Sequence, residues 1–104
     1  MSEQKNVCGD KLEKCGPQTG YDRSGYCNTR ADDGGKHLVC ATMTDDFLEF
    51  TNSKGNNLHS LSKGQSWCLC EDRYMEAKRA GHAPQVLFKA TNQRTHADVV
   101  CEKS

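Results

Sequence analysis

The chain has 104 residues, 14 basic and 14 acidic side chains, a formal net charge of zero and a hydrophobic content of 35%. That length builds one small core, and the balanced, sign-alternating charge argues against a nucleic-acid surface, which needs clustered Lys and Arg. It also argues against disorder, because a chain of low hydropathy stays unfolded when its net charge is high as well.

The core material is thin. There is no Ile, and seven of the hydrophobic residues are cysteines, so buried thiols, a metal ion or a partner subunit are expected to complete the core. No run of 18 apolar residues exists, which leaves no membrane span, and the polar start Met1-Ser2-Glu3-Gln4-Lys5 has no signal-peptide pattern. The expectation is one cytoplasmic domain over residues 1–104, with residues 1–5 as a flexible start. In that compartment thiols stay reduced, and seven is an odd number, so a disulfide framework is the less expected use of the cysteines.

In chain order, residues 6–15 hold Val7 and Leu12 as their aliphatic anchors, and Gly9-Asp10 reads as a turn, giving a strand or hairpin fragment at best. Residues 16–35 form a long loop rich in Gly, Asp and Asn, with Tyr21, Tyr26 and Cys27 as burial candidates. Segments of about 20 residues without structure are uncommon in a compact domain unless functional or tied down. Cys15 and Cys27 are natural points for tying.

A strand is expected near 37–43, with Leu38 and Cys40 on one face and His37 and Val39 on the other. A helix follows over about 45–54: Thr44 caps it, Asp45 and Asp46 suit its positive end, Phe47, Leu48, Phe50 and Thr51 form its apolar stripe, and Gly55 ends it. Residues 56–63 are a polar connection.

The richest stretch is residues 64–84, GQSWCLCEDRYMEAKRAGHAP. Trp67, Cys70, Tyr74, Ala77 and Gly81 recur at helical spacing, which predicts a helix over about 67–80 with Ser66 as N-cap, Glu71 and Asp72 near its start, Lys78 and Arg79 near its end, and Gly81 and Pro84 as stops. On a helix, residues two apart lie about 200° apart around the axis. Cys68 and Cys70 then cannot share a face, and Cys68 falls in the first turn, where a thiol tends to be activated. If residues 66–71 are extended instead, both sulfurs point the same way, as a chelating pair requires. A last strand near 86–91 is expected to pair with the one at 37–43. The whole reads as a small α+β domain.

The motifs as they stand are Asn6-Val7 with Gly9, TGYDRSGYC at 19–27, His37 with VCATMTDDFLEF at 39–50, Gly55, Asn56 and Leu58, and WCLC at 67–70 followed by Arg73, Tyr74, Ala77, Gly81, Ala83 and Pro84. Together they cover most of the chain and resemble a family of small bacterial-type proteins of unknown function. The resemblance implies a compact intracellular domain and marks Cys15, Cys27, Cys40, Cys68 and Cys70, with His37, as the family's typical Cys and His positions. It implies no activity. Cys8 and Cys101 fall outside the pattern and read as incidental. The connection 58–64 looks shorter than in relatives, which often carry a Pro- and Phe-containing loop there.

Three uses of the cysteines follow. Buried thiols acting as small hydrophobes is the plainest, and it suits Cys40 and Cys70 best. A metal site, with zinc as the expected ion, draws on Cys15, Cys27, Cys68, Cys70 and His37, although no CxxC pair supports it. Nucleophilic or redox chemistry would use Cys68 with His37 as its base, and Asp32 or Asp33 to orient the imidazole. Arg23 reads as solvated or as a holder of an anion. The functional expectation is a non-enzymatic binding or interaction module, with a homodimer or protein partner, no nucleic acid and no membrane. A cysteine-dependent enzyme or redox sensor is the alternative.

Overall fold

A computed structural model describes residues 4–16, 19, 23–29, 36–55, 61–97 and 99–101. Strand β1 (His37–Thr42) is the axis of the domain, with β2 (Ser66–Cys70) and β3 (Gln85–Val86) antiparallel on either side. Helix α1 (Asp45–Ser53) connects β1 to β2, and α2 (Glu71–Ala80) follows β2 without a break. The architecture is the expected α+β.

Local chemistry accounts for α1. Thr44 is extended at the N-cap, and its hydroxyl accepts the Phe47 N–H at 3.1 Å, satisfying one of the donors that a helix start leaves open. Phe47, Leu48 and Thr51 are buried on one face. The end of α2 also follows expectation. Gly81 takes the left-handed conformation (φ 83°), and the His82 N–H turns back to the Ala77 carbonyl at 2.8 Å. His82 then reaches α1, stacking on Phe50 with ring centroids 4.8 Å apart and placing Nδ1 2.8 Å from Asp46.

The start of α2 differs from the helical reading. Residues 66–70 are strand, the helix begins at Glu71, and Cys70 rather than Ser66 is the N-cap. Burial explains it. Cys68 and Leu69 are adjacent and are 1% and 3% exposed, so this stretch must bury both sides, which a strand between two covered faces does and a one-sided surface helix does not. The expected strand at 86–91 is also corrected: only Gln85 and Val86 pair with β1, opposite Thr42 and Ala41. The chain then turns through a short 3-10 helix (Phe88–Ala90), and Thr91 spends its hydroxyl on the Leu87 carbonyl and on the backbone of Cys40.

The sheet separates two cores. On one side Val39, Ala41, Met43 and Leu69 meet Phe47, Leu48, Leu61, Tyr74, Ala77 and Ala97. On the other, Cys40 and Cys68 meet Cys15, Cys27 and Ala90, with Leu87 packed against them. The first core is held by helices and apolar burial. The second is covered by irregular chain, and buried asparagines secure that cover. Asn6 donates to the carbonyls of Lys11 and Lys89 and accepts from the N–H groups of Cys8 and Asp10. Asn92 donates to the Cys27 carbonyl at 3.0 Å, and its own N–H bonds Leu38. Glu71, buried at the start of α2, accepts from the Thr95 hydroxyl and the His96 N–H.

Candidate functional site: a four-cysteine centre

The register of the sheet builds the site. Cys40 and Cys68 are directly opposite on β1 and β2, so their side chains leave the same face side by side. The described residues 15–16 and 23–29 lie across that face and deliver a second sulfur to each. Cys15 is bonded to Cys40 and Cys27 to Cys68, with Cα atoms 5.8 and 5.5 Å apart. The two bridges lie against one another: the sulfurs of Cys15, Cys27 and Cys68 are all within 4.8 Å.

The crossing segment is shaped by backbone bonds. The Cys15 N–H donates to the Gly25 carbonyl at 2.7 Å, and the Gly25 N–H returns to Thr19 at 3.0 Å. Gly25 has φ 94°, and a Cβ there would stand 2.9 Å from the Gly16 carbonyl oxygen and collide with Lys14. Only glycine lets this loop close. Buried Thr19 sits beside the centre, its hydroxyl bonding the carbonyls of Gly16 and Gly25 and lying 3.6 Å from the Cys68 sulfur.

A third bridge joins Cys8 to Cys101, Cα to Cα 5.1 Å, across 93 residues. It is part of the lining of a groove of about 710 Å³ between the N-terminal segment and residues 85–90. The expectation that disulfides are the lesser use of these cysteines is therefore corrected: six of the seven are paired, and Cys70 is the free one. Cys8 and Cys101 are not incidental, since each is the other's partner. Cys40 is buried as expected, but as half of a bridge.

Of the sequence candidates, Cys15, Cys27 and Cys68 come together, and Cys40 completes the set. Cys70 and His37 form a separate pair, facing each other at the end of the β1–β2 ladder, where a bulge separates His37 from Val39. Both are half-buried. Cys68 lies mid-strand, so the thiol at the start of α2 is Cys70; the Cys70 side chain makes no capping bond. Arg23, exposed with φ 61°, stands over the Trp67 ring at 5.5 Å. Asp32, Asp33 and Tyr21 lie outside the described residues.

Fold and site together define a small α+β domain whose second core is a sulfur cluster in place of aliphatic packing. The chain belongs to the family described as an uncharacterised protein conserved in bacteria (DUF2237), which it matches over residues 5–103. A search of the curated proteins finds no match. No helix among the described residues is long and apolar enough to cross a membrane.

Proposed function

We propose that the chain is a non-enzymatic binding module whose centre holds one thiophilic ion, zinc by preference, through Cys15, Cys27, Cys40 and Cys68 when these are reduced. When oxidised, it stores the same sulfurs as the two bridges. The observation that carries this reading is the convergence of the Cys15, Cys27 and Cys68 sulfurs within 4.8 Å, with Cys40 bonded to the first. Zinc–sulfur bonds of about 2.3 Å place tetrahedral ligands about 3.8 Å apart. Opening both bridges and drawing Cys15, Cys27 and Cys68 together by about 1 Å would give those three that spacing, with Cys40 beside Cys15 as the fourth ligand.

The donor set suits a soft ion, since sulfur is the only ligand type that converges there among the described residues. The Thr19 hydroxyl beside Cys68 supplies the outer hydrogen bond that such ligands commonly need. Four protein ligands would close the coordination shell, which supports a structural or storage role over an open catalytic one. A cytoplasmic setting keeps thiols reduced and would favour the ion-bound form; an oxidising one would favour the bridges.

Native mass spectrometry of the reduced chain, purified without chelator and mixed with one equivalent of zinc, tests the reading. The expected result is one bound zinc that is lost in acid, and loss of tertiary structure when a chelator removes it. A folded, reduced chain that keeps its bare mass with zinc in excess overturns it.

A further inference from the structure

Cys70 is the thiol that the two bridges leave over, and its position relates it to one of them. Cys68 and Cys70 are both in β2. Residues two apart on a strand share a face and lie about 6.6 Å apart, at the upper end of the span of about 4.4–6.8 Å that a disulfide bridges between Cα atoms, so the strand must bend at its Cys70 end, where the ladder is already irregular, to bring the Cβ atoms to about 4 Å. The free thiol thus sits on the same sheet face as the Cys27–Cys68 bridge, one alternation further along. Two further observations single it out. Cys70 is half-buried whereas Cys68 and Cys27 are 1% and 0% exposed, so it is the member of the group that solvent can reach. Its side chain makes no capping bond to the helix it precedes.

We propose that Cys70 is the exchange thiol of the centre. Its sulfur attacks Cys68 Sγ; the Cys68–Cys27 bond breaks, a Cys68–Cys70 bond forms, and Cys27 leaves as the thiolate. The proton released from Cys70 passes to solvent, and Cys27 takes one up in turn. One disulfide and one thiol exist before and after, so no oxidant or reductant is required. The step carries reactivity from the rim to a fully buried position. It also releases the 27 end of the crossing segment from its covalent tie to the sheet, leaving hydrogen bonds to hold it, among them Asn92 to the Cys27 carbonyl and the Gln4 side chain to Thr29. That this uncovers a ligand of the centre rests on the metal reading above; the exchange itself does not.

The test uses the oxidised, metal-free full chain, so its outcome is independent of zinc binding. The undenatured protein is exposed to a low dose of N-ethylmaleimide over a time course, quenched and digested in acid, and its labelled and cross-linked peptides are mapped by mass. The expected result is a growing population tagged on Cys27 and cross-linked from Cys68 to Cys70, beside chains tagged on Cys70. In Cys70→Ser the tag on Cys27 is lost. The proposal is overturned if every tagged wild-type chain carries the label on Cys70 with Cys27–Cys68 intact, or if Cys70→Ser labels Cys27 as fast as wild type. The wild-type arm decides the matter even if the variant does not fold.

Discussion

The bridge between Cys8 and Cys101 offers the cleanest measurement of what the sulfur framework contributes. The perturbation is the double variant Cys8→Ser with Cys101→Ser, which leaves the four-cysteine centre untouched. The bridge spans 93 residues, and the chain-entropy relation assigns a loop of that length about 4.6 kcal/mol of stabilisation. The other two bridges lie inside this loop and offer shortcuts that cut its effective length to about half. Because the dependence is logarithmic, that lowers the value by only about 0.5 kcal/mol, to about 4 kcal/mol. Urea unfolding of the two oxidised chains, followed by the fluorescence of Trp67, reads it directly. With a slope of about 1.2 kcal/mol per molar for a domain of this size, the midpoint falls by about 3 M. Under a strong thiol reductant both chains lose their bridges, and their curves should coincide. A loss within the range of ordinary surface substitutions, about 0.5 kcal/mol, would refute the reasoning. It would mean that the ends are not joined or that the unfolded chain is already compact.

Two further outcomes test the cover over the second core. Asn6→Ala removes a buried side chain that makes four hydrogen bonds to backbone on both sides of it. The unpaired groups left behind should cost about 2–3 kcal/mol, read as a lower denaturation midpoint of the oxidised protein. Gly25→Ala places a methyl 2.9 Å from the Gly16 carbonyl at a positive φ. It should cost about 2 kcal/mol or more, and slow reoxidation of Cys15–Cys40 and Cys27–Cys68 should appear in peptide mapping during refolding; an unchanged rate would place the loop's closure elsewhere.

What could be read from the residues depended on how local the signal was. Helix α1 was legible because Thr44, Asp45, Asp46 and Gly55 state its limits within a few positions. The end of α2 was legible through Gly81 for the same reason. The start of α2 was not, because Trp67, Cys70 and Tyr74 happen to share helical spacing. The competing alternation, Trp67 and Leu69 against Cys68 and Cys70, becomes decisive only when both faces of the sheet are covered. The extended alternative describes residues 66–70, which puts Cys68 and Cys70 at alternate positions of one strand, and the exchange step rests on that placement.

Cysteine pairing was the least legible feature. Spacing does not fix connectivity, and the Cys40–Cys68 juxtaposition follows from a register between strands whose paired residues are 24 or more positions apart, not from any short motif. Three of the metal candidates, Cys15, Cys27 and Cys68, lie within 4.8 Å of one another. Cys40 was missed as their fourth member because a cysteine inside an apolar strand reads as packing. Its place opposite Cys68 is information that only the fold supplies.

The Cys8–Cys101 bridge also decides how the domain meets force. Pulled by its two tails, the oxidised chain passes the load from one cysteine to the other over 5.1 Å, and β1, the helices and the sulfur centre lie outside the loaded path. Reduction puts everything between the two cysteines in series, a contour of about 330 Å at about 3.5 Å per residue. One covalent bond between the ends separates a domain that tension does not reach from one that it can unravel.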